Sequence, residues 1–316
     1  MLSFNDFNEK RILFIQSGEC DCSKIKFRND NIVFEKSGEI VNQASCHKVF
    51  AIFIIGDASL TTVFIRNAKK FGISIFLLKY NFLNYASINA AAEGNYLLRA
   101  EQYKEKNELA MAKNLMKNKF INQLALIKSV SAENSGLLNG EELFGKIEKA
   151  KNEQELLGLE GSFTKKFFKI YFADLDWYKR MPGVKIDHYN ILLDIGYTFL
   201  FNFVDSMLKL YGFDTYKGFY HKLFFKRQSL SCDIVEPFRC LIDKQLLKSF
   251  HLKQINEKDF KIDNGRYLLK YENSKKYAEI FFGAIMENKE EIFIYVYNFY
   301  RHIQGKGDFP FFNVKI

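Results

Sequence analysis

The chain contains few of the residues that mark several common classes of protein. Only three of its 316 residues are proline (Pro182, Pro237 and Pro310), so long stretches are free to form helices. Its five cysteines do not have the spacing of a zinc finger, and an odd number does not fit a disulfide framework. We therefore interpret them as reduced thiols of a reducing compartment and expect a cytoplasmic protein.

Signals of membrane insertion and of familiar catalytic classes are also missing. The N-terminus lacks the apolar run of a signal peptide, and the longest apolar stretch, Val49 to Ile55, is too short to cross a bilayer. No GxxxxGK[ST] phosphate loop, GxSxG elbow or HExxH zinc motif occurs. These absences argue against a P-loop NTPase, an α/β-hydrolase and a zincin, and we expect no membrane partner.

Aromatic residues and positive charge are abundant instead. With 34 Phe, 17 Tyr and 48% hydrophobic residues, the chain has ample material for packed cores. Its formal net charge is +9, of which +2 lies up to Gly94 and +7 in the rest. This excess favours a polyanionic partner such as DNA, although a lysine-coated soluble surface is the alternative.

Hydrophobic periodicity divides the chain into two parts of different character. Short β-branched and aromatic runs with turn residues between them predict strands at 11–15, 25–27, 32–34, 39–41, 49–55 and 73–78. One helix is predicted at 60–71, with Ser59 as its N-cap. Helical patterns then predict helices at 97–130, 142–152, 159–172, 187–211, 233–250, 274–288 and 292–303, with a loop at 131–140. We predict an α+β protein, with a small β domain at 1–90 and a larger all-helical domain at 95–316.

Glu160 and His221 are candidate metal ligands that have ordinary structural alternatives. Glu160 opens a predicted helix between Gly158 and Gly161, where a carboxylate can simply complement the helix dipole. The two glycines would let a ligand or another backbone approach closely. His221 follows an aromatic stretch, where a histidine is often a hydrogen-bonded core residue.

Asp233 and Glu236 form a more informative pair. Three residues apart on a predicted helix, they point to the same side, and neither has a basic residue four positions away. A divalent cation would relieve their mutual repulsion, although an exposed acidic helix start is the alternative. Carboxylates with one imidazole form a mostly oxygen-rich set that suits Mn²⁺ or Mg²⁺ better than zinc.

Seven runs of residues along nearly the whole chain have the order and spacing of one known family. They are 54–59 (IIGDAS), 72–75 (GISI), 94–103 (GNYLLRAEQY), 159–161 (LEG), 187–197 (DHYNILLDIGY), 218–221 (GFYH) and 229–239 (SLSCDIVEPFR). With these runs the chain resembles the CRISPR-associated integrases that capture new spacers, the "Cas-one" endonuclease family. Two positions depart from the family pattern: Asp194 stands where asparagine is commoner, and His188 where a small residue or proline is usual.

The resemblance implies a function and a set of site residues. The metal ligands would be Glu160, His221 and Glu236, with Asp233 as a further catalytic carboxylate that binds a second ion or receives the proton of the attacking hydroxyl. The expected reaction is metal-dependent transesterification, in which the 3′-hydroxyl of a short DNA duplex attacks a phosphodiester of a CRISPR array. The resemblance also implies a homodimer formed through the β domain and a small ferredoxin-like partner protein.

Two other functions remain open, and the DNA contacts are candidates only. A structure-selective nuclease would use the same site with water, and a DNA-binding scaffold would carry a structural or vacant site. Basic residues of the helical part are candidates for phosphate contacts with double-stranded DNA. They are Arg99, Lys104, Lys106, Lys165, Lys166, Lys169, Lys226, Arg227 and Arg239.

Overall fold

The computed structural model describes residues 10–16, 23–79, 84–90, 95–130, 140–175, 177–222 and 224–316. The chain divides into two compact units. The first contains the described residues up to Tyr103 together with Asp205–Asp214, and the second contains Lys104–Val204 and Thr215–Ile316. The predicted fold class, a β-sheet region followed by a mostly helical region, is confirmed.

The first unit is built on two four-stranded sheets. One has the order β1-β5-β7-β8, in which β8 alone runs antiparallel to its neighbour, and the other has the order β4-β3-β2-β6. The strands are β1 Arg11–Gln16, β2 Lys24–Arg28, β3 Asn31–Lys36, β4 Glu39–Ser45, β5 Val49–Ile55, β6 Ser59–Leu60, β7 Ser74–Leu78 and β8 Asn84–Ile88. Every residue of β5 is buried, as its continuous apolar run predicts for a central strand.

Local turn chemistry sets the hairpins of the second sheet. Asn29 and Asp30 join β2 to β3 with positive φ angles of 49° and 54°, and Ser37 and Gly38 join β3 to β4 with 52° and 89°. Two consecutive positive φ angles match the right-handed twist of a tight hairpin, and the sequence predicts both turns.

The single helix of the β region begins later than predicted. Helix α1 is Thr62–Lys70, and its N-cap is Thr61, whose hydroxyl accepts a hydrogen bond from the Phe64 amide at 3.1 Å. The prediction of Ser59 as the cap was wrong, because Ser59–Leu60 pairs with β2 as strand β6. Strand β8 was missed, since its residues have a weak apolar pattern.

Helix α2, Tyr96–Lys104, lies beyond the predicted domain boundary at 90–95 but clusters with the first unit. Its neighbourhood explains this grouping. The Asn95 side chain donates to the Tyr211 carbonyl at 2.9 Å, and Gln102 Nε2 donates to the Asp214 carbonyl at 2.8 Å. The role of dimerisation given to the β domain stays a prediction.

The second unit is mainly helical. Its described helices are α3 Glu108–Val130, α4 Gly140–Lys149, α5 Glu153–Tyr171, α6 His188–Tyr211, α7 Ser229–Val235, α8 Arg239–His251, α9 Tyr271–Glu287 and α10 Lys289–Ile303. The last residues of α6, from Asp205 on, belong to the first unit. The predicted helix at 97–130 is two helices, and the loop predicted at 131–140 lies outside the described residues apart from Gly140. A hairpin of β9 Phe260–Asp263 and β10 Arg266–Leu269 was not predicted.

Helix α3 is the centre of this unit. Phe120 packs on Phe163 of α5, with ring centroids 4.5 Å apart. Asn118 and Asn122 bond the backbone of the C-terminal segment: Asn118 Oδ1 accepts from the Phe312 amide at 2.9 Å, and Asn122 Oδ1 accepts from the Val314 amide at 2.8 Å. The two buried side chains thus provide hydrogen-bond partners for backbone amides of a segment that belongs to none of the described sheets.

Helix α6 is the one helix, among the residues that the structure describes, long and apolar enough to cross a membrane. Most of it is buried inside the fold. Gly196 explains part of its packing, because an added Cβ would lie 2.5 Å from Ile242 of α8 and 2.9 Å from Phe281 of α9.

The two departures from the family pattern both have local partners around α6. His188 is buried, and its ring lies 5.6 Å from that of Phe260 in the hairpin. Burial lowers the pKa of His188, which favours a neutral imidazole. Asp194 forms an ion pair with Arg180 at 2.5 Å and accepts a hydrogen bond from the Gly183 amide at 3.0 Å.

Candidate metal and phosphodiester site

Helix α5 places Glu160 inside the helix and not at its start. The helix begins at Glu153, and Asn152 caps it by accepting a hydrogen bond from the Glu155 amide at 2.9 Å. The expectation that Glu160 opens a helix was wrong, so a partnership with the helix dipole does not explain this carboxylate. An added Cβ at Gly158 or Gly161 would meet no atom within 4 Å, so neither glycine serves a close contact here.

Lys119 of α3 joins two of the predicted ligands. Its side chain is only 5% exposed, and its Nζ lies 2.5 Å from Glu160 Oε1 and 2.6 Å from Glu236 Oε2. Burial lowers the pKa of Lys119, but the charges of Glu236 and Glu160 outweigh that effect and raise it overall. The ammonium therefore stays charged and stands between the two carboxylates.

The sequence analysis missed Lys119. A lysine among the apolar and amide residues of a buried helical face was the available signal, since Leu115, Asn118, Phe120 and Asn122 are all buried. A fully buried lysine needs a counter-charge, so its position pointed to acidic partners elsewhere in the chain.

Asp233 holds the segment that carries His221. Its Oδ2 accepts from the amides of Phe219 and Tyr220 at 2.6 and 3.0 Å. Its Oδ1 accepts from the His221 amide at 2.9 Å and lies 2.7 Å from His221 Nδ1. Gly218 permits this approach, because an added Cβ would lie 2.8 Å from Asp233 Oδ2. Asp233 is fully buried, and its two oxygens already serve four donors.

The hydrogen bond to Asp233 fixes the chemistry of the imidazole. Since a carboxylate only accepts, His221 Nδ1 carries the proton and the lone pair of the neutral ring is at Nε2. This is the arrangement of histidines that ligate metals through Nε2. Burial lowers the pKa of His221, but the hydrogen bond and charge of Asp233, with Glu236 and Glu160, raise it overall.

Tyr220 supports the second oxygen of Glu160. Its hydroxyl donates to Glu160 Oε2 at 2.5 Å, and its ring packs edge-on against that of His221, with centroids 5.1 Å apart. The residue beside the histidine thereby connects the His221 segment to α5. Burial and the Glu160 charge raise the pKa of Tyr220, so the hydroxyl remains a donor.

Glu236 lies in a 3₁₀ turn, Glu236–Phe238, which separates α7 from α8. The continuous helix predicted at 233–250 was therefore wrong, since Pro237 interrupts it. Asn122 Nδ2 donates to the Pro237 carbonyl at 3.0 Å, which ties the turn to α3. Burial opposes ionisation of Glu236, but Lys119 and Arg239 lower its pKa to about 2. Each of the two carboxylates has its own partners: Asp233 accepts hydrogen bonds from the His221 segment, and Glu236 pairs with Lys119 and Arg239. These partners offset the repulsion expected between Asp233 and Glu236.

Arg239 extends the buried charge network. Its NH1 lies 3.3 Å from Glu236 Oε1, and its guanidinium stacks 4.0 Å from the centre of the Tyr197 ring. Tyr197 in turn donates to Asp243, whose pKa burial raises to about 6. Arg239 is thus occupied by contacts within the fold, and its role as a DNA contact stays a prediction.

The side chains of this cluster include the types of ligand that a divalent ion requires. Two carboxylates and an imidazole with Nε2 open are the ligand types expected for Mn²⁺ or Mg²⁺. Glu236 Oε2 is buried and, although 2.6 Å from the ammonium, receives no hydrogen bond of good geometry. Across the described part of the chain, no three His, Cys, Asp or Glu side chains converge on one point. The donors therefore fit the ion by type, but they are not gathered around one point, and the Lys119 ammonium lies between two of them.

The other candidate DNA contacts are exposed, apart from Arg227, and some have local partners. Arg99 is exposed, and its Nε donates to the Gly212 carbonyl at 2.9 Å. Arg227 is half-buried and donates to the Lys222 carbonyl. Lys165, Lys166 and Lys169 are exposed and lie on the face of α5 opposite its buried aromatic residues, and Lys106 and Lys226 are exposed as well.

Comparison with known proteins is consistent across sequence and structure. The family model for "CRISPR associated protein Cas1" matches residues 20–282. The "CRISPR-associated endonuclease Cas1 1" of Thermodesulfovibrio yellowstonii is 25% identical over 276 residues, which cover 82% of this chain and 87% of that protein. The "CRISPR-associated endonuclease Cas1 3" of Thermus thermophilus is 27% identical over 261 residues, covering 79% and 77%.

Solved structures share the fold over nearly the whole chain. A partial Cas6-RT-Cas1–Cas2 complex gives a TM-score of 0.79 at 21% identity and covers 96% of this chain and 99% of that chain. A casposase bound to integration product gives 0.70 at 21% identity, covering 95% and 98%. A Cas1 protein from Thermotoga maritima gives 0.68 at 20% identity, covering 95% and 99%.

Proposed function

Since this chain belongs to the CRISPR-associated Cas1 family, we propose that it is a DNA endonuclease and integrase of spacer acquisition. In the proposed reaction the 3′-hydroxyl of a short DNA duplex attacks a phosphodiester of the CRISPR array. One phosphodiester bond forms, one breaks, and the leaving group is the 3′-oxygen of the array strand. No covalent enzyme intermediate is needed.

The observation that carries this proposal is a chain of contacts that joins distant segments around one buried ammonium. Glu160 and Glu236 share the Lys119 ammonium, Tyr220 bonds Glu160, and the neighbouring His221 has its Nδ1 held by Asp233. A structural core has no need for one buried and one half-buried carboxylate, a buried lysine and an oriented imidazole, since buried charges are costly. Perturbed and oriented titratable groups are typical of catalytic sites.

We propose that Glu160, Glu236 and His221 Nε2 would hold Mn²⁺ or Mg²⁺. When bound, such an ion stabilises the charge that develops on the phosphate oxygens. Asp233 would act as a positioning residue, because all of its accepting capacity is used by the His221 segment. Tyr220 would fix the orientation of Glu160 through its hydroxyl.

Substrate and partners follow from the same premise. The net charge of +9 supports binding of double-stranded DNA. Relatives of the same fold are named in a complex with Cas2, which supports a small ferredoxin-like Cas2 partner for this chain. We also propose a homodimer, because two attacks on opposite strands require two sites at a fixed separation. A monomer by light scattering at micromolar concentration would contradict the dimer.

The proposed chemistry is tested by strand transfer of a short duplex into a supercoiled plasmid with Mn²⁺. Integration, nicking and an unchanged plasmid give three different gel patterns, which separate an integrase from a nuclease and from a scaffold. We expect Glu160→Ala, His221→Ala and Glu236→Ala each to abolish integration while DNA binding persists. Full activity in any of the three variants would show that the ligand assignment is wrong at that position.

An exposed carboxylate provides the matched control. Glu279 of α9 is 61% exposed and forms an ion pair with Lys275, four residues before it. Glu279→Ala should retain integration, because an exposed pair of this kind contributes little to the fold. Equal losses in the control and the site variants would point to a general effect of charge.

A further inference from the structure

Helix α3 contacts the Glu236–Phe238 turn at the carboxylate and at the backbone. Lys119 Nζ lies 2.6 Å from Glu236 Oε2. Asn122, three residues later on the same face of α3, donates from Nδ2 to the Pro237 carbonyl at 3.0 Å. The first contact holds the side chain of Glu236, and the second holds the backbone directly after it.

These two contacts respond differently to a divalent ion. The contact between Lys119 and Glu236 joins opposite charges, so a cation held by Glu236 competes with the ammonium for the same carboxylate. Asn122 is neutral, and the carbonyl that it bonds is not one of the proposed ligands. The bond from Asn122 can therefore persist when Glu236 holds an ion.

The orientation of the Asn122 amide is fixed by the C-terminal segment. Its Oδ1 accepts from the Val314 amide at 2.8 Å, and its Nδ2 also donates to the Phe312 carbonyl at 3.0 Å. Since a backbone N–H only donates, the end of the amide that faces Val314 is the oxygen, and the nitrogen faces Pro237. The side chain is 1% exposed, so these bonds form away from water.

The Pro237 carbonyl depends on Asn122 for a strong side-chain donor. A second side-chain donor at this carbonyl, the Cys240 thiol at 3.3 Å, is of a weak type. The turn is buried, so water has little access to take the place of the amide. Loss of the Asn122 amide would therefore loosen the backbone beside Glu236.

We propose that Asn122 is a positioning residue, which holds Glu236 at the candidate site through the Pro237 carbonyl. This inference rests on the proposed function, because it takes Glu236 as a metal ligand. Replacing a residue that orients a metal ligand without touching the ion typically weakens metal binding by about 10- to 100-fold. A residue that serves only the stability of the fold would leave the affinity for the metal unaltered.

Asn118 provides the matched control. It lies one turn before Asn122 on α3, is also buried, and bonds the amide and the carbonyl of Phe312 at 2.9 and 2.6 Å. Asn122 makes two bonds to the same segment as well, and a third to Pro237. Phe312 packs on Phe238 of the turn, with ring centroids 4.8 Å apart, so an effect transmitted through this packing would appear in both variants.

The test combines calorimetry with Mn²⁺ and hydrogen exchange of the metal-free protein. We expect Asn122→Ala to bind Mn²⁺ about tenfold more weakly, and Asn118→Ala to bind it like the unaltered protein. Without metal, the backbone amides of 312–314 should exchange faster in both variants, and those of 238–242 faster only in Asn122→Ala.

Equal Mn²⁺ affinities in Asn122→Ala and Asn118→Ala, whether unaltered or weakened alike, would overturn the inference. Equal exchange of 238–242 in the two variants would also overturn it. If Asn122→Ala does not fold, Asn122→Leu decides the matter with the same expectation, because leucine has a similar shape and fills the space without donating.

The failure of this inference can be told apart from the failure of the proposed function. Mn²⁺ affinity and plasmid integration unaltered in Asn122→Ala would overturn only the positioning role. Mn²⁺ binding that depends on Asn122, in a protein that leaves the plasmid unchanged, would support the inference and overturn the proposed reaction. Absence of Mn²⁺ binding by the unaltered protein would overturn the ligand assignment and this inference together.

Discussion

The buried ammonium of Lys119 offers a sharp test of how the site is held together. Lys119→Met keeps most of the length of the side chain and removes its charge. In the absence of metal, the change leaves the carboxylates of Glu160 and Glu236 facing each other, with side-chain exposures of only 18% and 6%. Two like charges with little access to water repel strongly.

The expected loss of stability is large. Removing one partner of a buried ion pair typically costs about 3–5 kcal/mol, because the remaining charge is buried without compensation. We expect the free energy of unfolding of Lys119→Met to fall by about this amount when metal is chelated. Arg239 keeps one partner for Glu236, which places the expectation toward the lower end of the range.

Urea denaturation in EDTA measures this loss, and the same helix provides a control. Lys117 also pairs with a glutamate, but its partner Glu148 is 57% exposed. Lys117→Met should therefore cost about 0–1 kcal/mol. If both variants lose the same free energy, the burial argument for Lys119 is wrong. If Lys119→Met does not fold, the double variant Lys119→Met with Glu236→Gln should recover stability, because it removes the unpaired charge.

Metal binding gives an independent measure of the same contact. Two unit charges about 4 Å apart interact by about 4 kcal/mol at an effective dielectric constant near 20, so a nearby ammonium opposes a divalent cation. We expect Lys119→Met to bind Mn²⁺ about tenfold more tightly or better by calorimetry, and Lys117→Met to match the unaltered protein. Unchanged or weaker Mn²⁺ binding in Lys119→Met would refute competition between the ammonium and the metal.

Three further predictions concern the same region. Asp233→Asn should lower strand transfer by tenfold or more by altering the His221 tautomer, with DNA binding unchanged in a gel-shift assay. Because the pKa of Glu236 is lowered to about 2, its stabilising effect is present above its unfolded pKa near 4.5 and is lost as the pH falls toward 2. Urea denaturation should show that the unaltered protein loses at most about 3 kcal/mol of its free energy of unfolding over this pH range, and that Glu236→Gln does not. The same pH dependence of stability in both proteins would contradict this prediction. The logarithm of DNA affinity should fall linearly with the logarithm of salt concentration. Neutralising Lys165, Lys166 and Lys169 together should make that slope shallower, and an unaltered slope would argue against their phosphate contacts.

Features that depend on neighbouring residues could be predicted from the sequence. The turns at Asn29-Asp30 and Ser37-Gly38 were found because their conformations require those residue types. Strand β5 and helix α6 were found because each has a long, regular apolar pattern. Where the local pattern was weak, as in β8, the assignment failed, because long-range pairing decides it.

The site shows why its residues could be named while their arrangement could not. The position of Glu160 two turns inside α5 depends on a cap eight residues away, at Asn152, which the apolar pattern of the helix does not reveal. Lys119 and Glu236 are more than a hundred residues apart, so no local rule pairs them. Their pairing follows only when α3 packs against α5 and the turn at Pro237.

The position of the ammonium also bears on how this cluster folds without a divalent ion. A pocket of two carboxylates and an imidazole, buried without a cation, would be unstable by several kcal/mol. Lys119 supplies one internal positive charge, and Arg239 a second, so Glu160 and Glu236 are compensated within the chain itself. The two carboxylates therefore have internal counter-charges in the absence of a divalent ion. We expect the same ammonium to compete with the ion that the proposed chemistry requires.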